Sequence, residues 1–245
     1  MESGELQLGA GALSEKEQAR IDKQTAKLLS MVVGRNDVCV VGRKDKKATG
    51  LFIPNTYKGK PIVRIANNAF YACANLDSVI IPDSVTSIGD GAFCACSGLA
   101  NLVFGEGIES IEASTFVCCS SLTSVVIPDK VKGIGDYAFA GCAKLETLVI
   151  GGGVTSIGER AFQDCRSIES LVIPNQLKSI AESGFYACVK LKAVYYQGTE
   201  NEWEQVEIGP HNTELKEATK YFYSENQPTE TGKYWHYVNG VPTVW

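Results

Sequence analysis

The chain has 245 residues, 44% of them hydrophobic and 21% charged, which is enough apolar material for one or two domains with a core and excludes a disordered chain. The formal net charge of -5 argues against an electrostatically driven nucleic-acid binder, because such proteins need a surplus of Lys and Arg on one face. No apolar run of about 18 residues occurs, so the sequence predicts no membrane-spanning helix. The start, residues 1–5, is acidic and lacks the basic and apolar regions of a secretory signal, so we expect no export signal in this chain.

The first 34 residues predict an arm followed by a helix. Residues 5–13 are rich in Gly and apolar residues and poor in charge, which suits docking on a partner. Ser14 and Glu17 have the spacing of a capping box, and the pattern that follows predicts an amphipathic helix over 15–33. The apolar side of this helix would consist of Ile21, Leu28, Leu29 and Val32. We treat 1–34 as an N-terminal arm and amphipathic helix, a candidate segment for self-assembly or for docking on a particle.

Residues 35–61 predict a capping hairpin. The apolar segments 38–41 and 51–53 flank a basic loop at 43–47, which we interpret as a solvated turn. An open stack of repeats exposes strand edges and apolar surface at its ends, so a cap is expected at this position.

Residues 62–196 contain an internal repeat with a period of 23 residues. Three columns of the repeat are invariant. They are Phe70, Phe93, Phe116, Phe139, Phe162 and Phe185; Ile65, Ile88, Ile111, Ile134, Ile157 and Ile180; and Cys73, Cys96, Cys119, Cys142, Cys165 and Cys188. Further columns vary only among apolar residues. Because one short unit cannot bury these side chains alone, the units must stack into a solenoid.

Each unit predicts one short strand and one tight turn. Residues 101–104 and 124–127 alternate between polar or outward and apolar positions, as a strand with one buried face does. Pro82 and Pro128 come directly after strands and mark a corner, since proline cannot donate to the ladder. The Gly-Asp-x-Ala-Phe stretch, as in 89–93, predicts one helical turn.

The repeated pattern I-P-x-x-V-x-x-I-G-x-x-A-F-x-x-C resembles the bacterial leucine-rich repeats of the BspA type, also called the Treponema pallidum type. The resemblance covers about residues 53–196. It implies a leucine-rich-repeat solenoid, an α/β repeat with mostly short parallel strands, in which six 23-residue repeats lie between N- and C-terminal caps. It also implies a curved scaffold used for binding, commonly on bacterial surfaces, with no catalytic site to transfer.

Residues 197–245 predict a C-terminal cap. Thr199 and Glu202 repeat the capping-box signal for a short helix, and 213–218 predicts a second helical turn. Residues 234–245 predict a hairpin around an Asn-Gly type I′ turn. The aromatic residues of this segment suggest a small module of its own.

Neither a metal site nor catalysis is favoured. Six cysteines lie in one repeat column, where buried thiols are the simplest interpretation. Cys94, Cys96, Cys118 and Cys119 form a weak four-thiolate pattern, but adjacent side chains point in different directions and no C-x-x-C occurs, so we predict no metal. The repeated acids are interpreted as a solvated edge in preference to a calcium site, and they are Asp90, Asp136, Glu159 and Glu182.

The only histidines, His211 and His236, lie in the C-terminal segment, so we predict no catalytic residue, no cofactor and no enzyme.

The outward side of the predicted sheet is the candidate partner-binding face. Its residues are Ser78, Ile80, Asn101, Val103, Ser124, Val126, Thr147, Val149, Ser170, Val172 and Tyr195. They form a file of mostly small polar residues beside a β-branched file. Either this face binds a partner, or Val and Ile are present because they suit strands; the sequence leaves both open.

Three functions fit these observations. The preferred one is a non-catalytic, adhesin-like module that recognises a protein or glycan through the sheet face, on the cell surface or outside the cell as the family resemblance implies. The alternative is a structural or receptor-binding appendage of a phage or phage-like particle, anchored by residues 1–34. The third is an intracellular scaffold in the cytoplasm. No nucleic-acid partner and no membrane span are expected.

Overall fold

The computed structural model describes residues 15–43, 47, 49–229 and 232–245. The predicted arm at 5–13, the capping residue Ser14 and residues 44–46 of the basic loop lie outside the described residues. The described chain winds into a solenoid of about eight coils with mostly parallel strands. The predicted leucine-rich-repeat architecture is therefore confirmed.

The helices are short and lie outside the repeats. They are α1 (Glu15–Leu28), α2 (Glu200–Trp203) and α3 (Thr213–Glu217). None of the described helices is long and apolar enough to cross a lipid bilayer. The strands, in chain order, are β1 (Leu29–Val33), β2 (Val38–Arg43), β3 (Gly50–Phe52), β4 (Thr56–Tyr57), β5 (Lys60–Ile65), β6 (Ser78–Ile80), β7 (Ser87–Ile88), β8 (Asn101–Val103), β9 (Ser110–Ile111), β10 (Ser124–Val126), β11 (Gly133–Ile134), β12 (Thr147–Val149), β13 (Ser156–Ile157), β14 (Ser170–Ile173), β15 (Ser179–Ile180), β16 (Ala193–Tyr196), β17 (Glu207–Ile208), β18 (Thr219–Tyr223), β19 (Tyr234–Val238) and β20 (Val241–Val244).

Each repeat contributes one strand to each of two sheets. The front sheet consists of β3-β6-β8 and β10-β12-β14-β16-β18-β19-β20, and the back sheet is β1-β2-β5-β7-β9-β11-β13-β15-β17, with β4 paired to β5. Repeat strands pair in parallel with residues 23 positions apart, as Val125 does with Leu148. The sequence predicted the front strands but missed the back strands, because two residues are too few to show an alternating pattern.

The front sheet is interrupted between β8 and β10, which no strand pairing joins in the described part of the chain. At the regular junctions Ile81 donates its amide to Val103 and Ile127 donates to Val149, both at 2.9 Å. Phe104 occupies the corresponding column in the repeat at the break. Its ring lies edge-on to Phe116 with the centroids 5.7 Å apart.

The segment between the two sheets is a run of tight turns, and the predicted helical turn is wrong. Gly91 and Ala95 are left-handed, with φ values of 62° and 60°. This conformation directs alternate amides out of the coil, so that Phe93 donates to Thr115 at 2.8 Å and Ala95 donates to Val117 at 2.7 Å on the next coil. A helical turn would point these amides along its own axis and leave successive coils unconnected at this edge.

The core is a continuous stack of the invariant columns. The six phenylalanines are fully buried, and neighbouring rings stack with centroids between 4.9 Å, for Phe70 and Phe93, and 5.4 Å, for Phe139 and Phe162. The isoleucine column and the other apolar columns are buried around them. Fully burying such a side chain contributes roughly 1.5–3 kcal/mol, so each coil is stabilised mainly by the neighbours that cover it.

The column cysteines are free thiols, and those from Cys96 onward are buried. Each buried thiol donates to the carbonyl of the phenylalanine in the preceding coil, at 3.3 Å from Cys119 to Phe93 and 3.4 Å from Cys142 to Phe116. Burial raises the pKa of Cys142 to about 12. The prediction of buried thiols is confirmed for this column, whose first member, Cys73, is half-buried.

Residues 29–33, placed in the helix by the sequence, form β1 instead. β1 pairs antiparallel with β2 through a tight turn in which Gly34 donates to Asp37 at 2.9 Å. The predicted hairpin between 38–41 and 51–53 is also wrong, because β2 pairs with β1 and β5 whereas β3 pairs with β6 in the other sheet. The edge of β2 is free to pair with another strand. The β-branched residues of 29–33 favour a strand, so pairing with β2 outweighs the helical pattern of this segment.

The C-terminal segment continues the front sheet and is not a separate module. Thr199 and Glu202 form the predicted capping box at α2, and β19 and β20 form the predicted hairpin. β18 pairs in parallel with β16, and β19 pairs in parallel with β18. Trp235 is fully buried and donates its indole N–H to the carbonyl of Tyr196 at 2.8 Å, which fixes the tail to the last repeat.

Candidate functional site

The outward side of the front sheet, the front face, presents an exposed apolar stripe. Alternate residues of each strand face the core, so the intervening residues point outward in register from coil to coil. The exposed fractions are 43% for Ile80, 54% for Val103 and 60% for Val126. Phe52 extends the stripe at the N-terminal end with 58% exposed. We use the name apolar stripe for these four residues.

Phe52 is missing from the predicted set although the sequence contained a signal for it. Ile53 and Pro54 begin the Ile-Pro pattern of the repeat, and the residue before this pattern is outward in every later coil. A five-residue insertion after Pro54 displaces the period, which hides the alignment of Phe52 with Ile80 that the strand register shows.

The apolar file in the C-terminal half of the predicted face is partly or fully covered. Val149 is half-buried, and Val172 is only 4% exposed beside the larger Tyr195 ring, so the prediction that Val172 belongs to an open face is wrong. Tyr195 stacks on Tyr221 at 5.4 Å and meets Trp235 at 5.5 Å. The tyrosine is thus part of the C-terminal aromatic packing, and burial raises its pKa.

The polar file beside the stripe consists of short side chains. Asn101, Ser124 and Thr147 are exposed, and Ser78 and Ser170 are half-buried. None of these side chains projects far from the sheet, so the front face is flat over several coils. A flat, mixed surface of this kind suits contact with another macromolecule better than enclosure of a small molecule.

Acidic residues flank the exposed part of the front face. The ends of β6, β8 and β10 carry four exposed acidic residues and one exposed lysine. They are Asp77, Asp83, Glu106, Asp129 and Lys130. These four carboxylates contribute to the overall net charge of -5 and give this part of the surface a negative potential. A partner with basic groups around an apolar centre complements this arrangement.

The four cysteines of the predicted thiolate pattern lie in different environments. Cys96 and Cys119 are buried in the core column, Cys94 is half-buried and Cys118 is exposed. Burial, and then the neighbouring Cys118, raise the pKa of Cys94. In the described ranges no cluster of three or more His, Cys, Asp or Glu side chains has the arrangement of a metal site.

The two histidines are far apart in the fold. His236 lies against Trp245 with ring centroids 3.6 Å apart, and His211 is exposed with its Nε2 4.0 Å from a carboxylate oxygen of Glu182. One member of the acid column has a structural role. Asp136 accepts a hydrogen bond from the amide of Glu159 in the next coil, at 2.7 Å.

The BspA type leucine rich repeat region, as a family, matches residues 63–193 in six copies. The chain belongs to this family. Among solved structures, the leucine-rich-repeat protein of T. pallidum is 29% identical, with 75% of this chain and 84% of that chain covered and a TM-score of 0.69. No catalytic family is indicated, and BspA-type repeats are binding modules.

Two further structures resemble this BspA-type protein. A leucine rich cell surface protein from Faecalibacterium prausnitzii is 31% identical over 71% of this chain, which covers 39% of that longer chain, with a TM-score of 0.53. A leucine-rich repeat protein from Bacteroides ovatus is 20% identical, with 80% and 70% of the two chains covered and a TM-score of 0.51, and supports the fold alone. No curated protein sequence matches the chain.

Proposed function

We propose that this BspA-type protein is an adhesin-like binding module that recognises a macromolecular partner through its front face. The exposed apolar stripe carries this proposal, because four adjacent coils each present a large apolar side chain to solvent at 43% to 60% exposure. Contiguous exposed apolar surface on a folded domain typically marks a contact site. Strand propensity favours Phe52 as well as the β-branched residues, so the proposal depends on the exposure and continuity of the four side chains and not on their residue types.

Charge favours a protein over a neutral glycan as the partner. The stripe is flanked by Asp77, Asp83, Glu106 and Asp129, so binding leaves these carboxylates at the rim of the contact. Basic side chains on a protein partner would complement them and accelerate association at low ionic strength. We therefore expect the association rate to fall as salt is added.

We place the protein on the cell surface or outside the cell. The support is the F. prausnitzii relative, which is described as a cell surface protein and is 31% identical. Fractionation of the producing cells, with detection by antibody, tests this placement. Recovery in the cytosol alone, or with sedimenting particles, would instead favour a scaffold or a particle appendage.

The front-face proposal is tested with the double variant Val103→Glu/Val126→Glu. Wild type and variant are applied to arrays of secreted proteins and of glycans. We expect the double variant to lose the targets that the wild type binds, because two carboxylates in the stripe would have to be desolvated on contact. Val189→Glu is the matched control, since Val189 is 68% exposed outside the front face.

Both positions in the double variant are solvent-exposed, so the fold should tolerate the charges, and circular dichroism with thermal melting verifies this. An unchanged binding pattern in the folded double variant would contradict the proposal. Equal losses in the Val189→Glu control would show that net charge, and not the front face, determines binding.

A further inference from the structure

A second concave feature lies on the turn edge of the last coils, away from the front face. It is an open recess of about 490 Å³, formed where side chains from three repeats and from the segment before α3 converge. A volume of this order accommodates one or two sugar rings. We call it the turn-edge recess.

The recess results from a small residue, Ser183, that lies between larger residues at equivalent positions of neighbouring coils. Tyr137, Arg160, Ser183 and His211 occupy the same left-handed position in successive coils, with φ values between 54° and 59°. The amide of Ser183 donates to the carbonyl of Pro210 at 2.9 Å, which aligns His211 with the repeats. Coils stack about 4.8 Å apart, so Ser183 forms a floor between the taller Arg160 and His211.

The backbone does not account for the large side chains in this column. A left-handed residue with a bulky side chain is disfavoured by about 1–2 kcal/mol, and Gly or Asn is the usual solution. The first repeats follow this preference with Asn68 and Gly91. At the recess the same position is occupied by Tyr137 and Arg160. Their large side chains do not stabilise the left-handed backbone there.

Polar groups of both kinds surround the floor. Arg160 donates to the hydroxyl of Tyr137 and pairs with Glu159 at 2.9 Å. Glu182 contributes a half-exposed carboxylate 4.0 Å from Nε2 of His211. The recess therefore offers hydrogen-bond donors and acceptors within a few ångströms of each other.

Gln163 supplies an unsatisfied group in the wall of the recess. Its Nε2 donates to Asp164 at 3.1 Å, whereas its Oε1 is buried without a hydrogen-bond partner. Leaving a buried amide oxygen unpaired costs roughly 1–3 kcal/mol. This oxygen has no surface towards the recess, so Gln163 contributes to the wall and not to ligand binding.

The charged side chains around the recess have a small negative sum. The single guanidinium of Arg160 is opposed by the two carboxylates of Glu159 and Glu182, so an anion is disfavoured. Tyr186 is 48% exposed and lines the recess, whereas the guanidinium of Arg160 lies over the ring of Tyr137, 5.5 Å from its centroid. Aromatic rings combine an apolar face with a polar tip, which matches a ligand that is polar at its edge and apolar on its face.

We propose that the turn-edge recess binds a neutral saccharide, with the ring of Tyr186 against its C–H face and Arg160 and Glu182 bonded to its hydroxyls. This site is distinct from the front face and does not depend on the function proposed for that face. A protein partner on the front face and a sugar in the recess would allow one solenoid to contact two components of the same surface.

The test uses lactose, cellobiose and diacetylchitobiose as probes at millimolar concentration. Saturation-transfer difference NMR on the full chain detects weak binding, and a titration gives the dissociation constant. We expect at least one probe to bind the wild type and Tyr186→Ala to weaken that binding about tenfold, the equivalent of about 1.4 kcal/mol. Glu182→Gln removes the carboxylate and keeps the side-chain shape, so a smaller loss is expected.

Tyr71→Ala is the matched control, because Tyr71 occupies the same repeat column as Tyr186 and is 59% exposed far from the recess. It should bind the probes as the wild type does. No transfer from the wild type to any probe, or equal binding by wild type and Tyr186→Ala, would overturn the proposal. Binding of inorganic phosphate in place of the sugars would overturn the neutral-ligand assignment.

The variant Val103→Glu/Val126→Glu separates the two proposals. The saccharide proposal expects this front-face variant to retain full binding of the probe sugar. A sugar signal that disappears in the folded front-face variant and persists in Tyr186→Ala would place the glycan on the front face and contradict the recess site.

Discussion

The column cysteine shows why one residue type recurs at one position. The carbonyl of Phe116 accepts both the amide of Cys119, at 3.2 Å, and the thiol of Cys142, at 3.4 Å. Cysteine is small enough for the stack, behaves as a hydrophobe and still supplies a weak donor to that second bond. Alanine would leave a gap and remove the donor, and serine would bring a more strongly hydrated group into the core.

The buried thiols make the stability of the solenoid depend on alkaline pH. Burial raises the pKa of Cys96, Cys142 and Cys188 to about 12 from 9.0, and it also raises the pKa of Cys119 and Cys165. Above pH 9 the unfolded chain loses these protons while the folded chain keeps them, so the free energy of unfolding falls as pH rises towards 12.

Each thiol should contribute about 1.4 kcal/mol per pH unit to this loss, and because five thiols act together the slope is measured over about one pH unit above pH 9, before the loss exceeds the 5–15 kcal/mol that is typical of a folded domain. We expect Cys142→Ser to reduce the slope of unfolding free energy against pH by one proton, because serine does not titrate there. Urea unfolding across this pH range measures the slope, with Cys118→Ser, at an exposed position, as the control. Identical slopes for wild type and Cys142→Ser would refute the account.

At the scale of elements, the last repeat has no further repeat to accept its turn amides. Side-chain oxygens replace the carbonyls that the next coil supplies elsewhere. In earlier coils the turn amides donate to carbonyls of the next coil. In the last repeat the amide of Phe185 donates to Oδ1 of Asn212 at 2.9 Å, and the amide of Ala187 donates to Oε1 of Glu214 at 3.0 Å. Asn212 is buried and its Nδ2 donates in turn to the carbonyl of Ala181 at 3.0 Å.

Asn212→Ala should destabilise the protein by about 2–3 kcal/mol, since it leaves the buried amide of Phe185 and the carbonyl of Ala181 without these partners. Urea unfolding measures the loss, and faster hydrogen exchange of the Phe185 amide locates it. Asn201→Ala in α2, at an exposed position, is the control and should change stability by less than about 0.5 kcal/mol. A loss no larger than that of the control would show that Asn212 is not a cap.

We attribute the interruption of the front sheet to Phe104, the phenylalanine in a column that otherwise carries Ile or Tyr. Its ring lies against Phe116 and is larger than the isoleucine of neighbouring repeats. We expect Phe104→Ile to restore pairing between β8 and β10, with slower hydrogen exchange of the residue-104 amide and a gain of about 1 kcal/mol from the added bonds. Phe52→Ile, at the exposed end of the sheet, is the control. An unchanged exchange rate at residue 104 would mean that another part of this repeat opens the sheet.

The repeat register predicted most of the fold because identical columns must stack in line. It also predicted the outward position of Ile80, Val103 and Val126. It did not predict β1 or the burial of Val172, since both depend on contacts with a neighbouring strand and not on local pattern. The turn-edge recess was missed for a related reason, because the 28-residue step from Ser183 to His211 breaks the period that defined the columns.

At the scale of the whole molecule, the two ends are closed on opposite sheets. At the N-terminal end β1 covers the back sheet, whereas the described front sheet ends at β3. At the C-terminal end β18, β19 and β20 extend the front sheet, whereas the described back sheet ends at β17. The outermost strands differ in character, because β3 presents the exposed ring of Phe52, β1 and β20 present exposed valines, and β17 contains the charged Glu207.

Edge strands with exposed apolar residues promote association, and a lysine at such an edge opposes it. We therefore expect Phe52→Lys to reduce self-association at high protein concentration, measured by light scattering, while the unfolding free energy changes by less than about 0.5 kcal/mol at this exposed position. Ile80→Lys adds the same charge to the same stripe one coil inward, where the strand has neighbours on both sides. Equal reductions in both variants would assign association to the apolar stripe as a whole, whereas an effect confined to Phe52→Lys would assign it to the β3 edge.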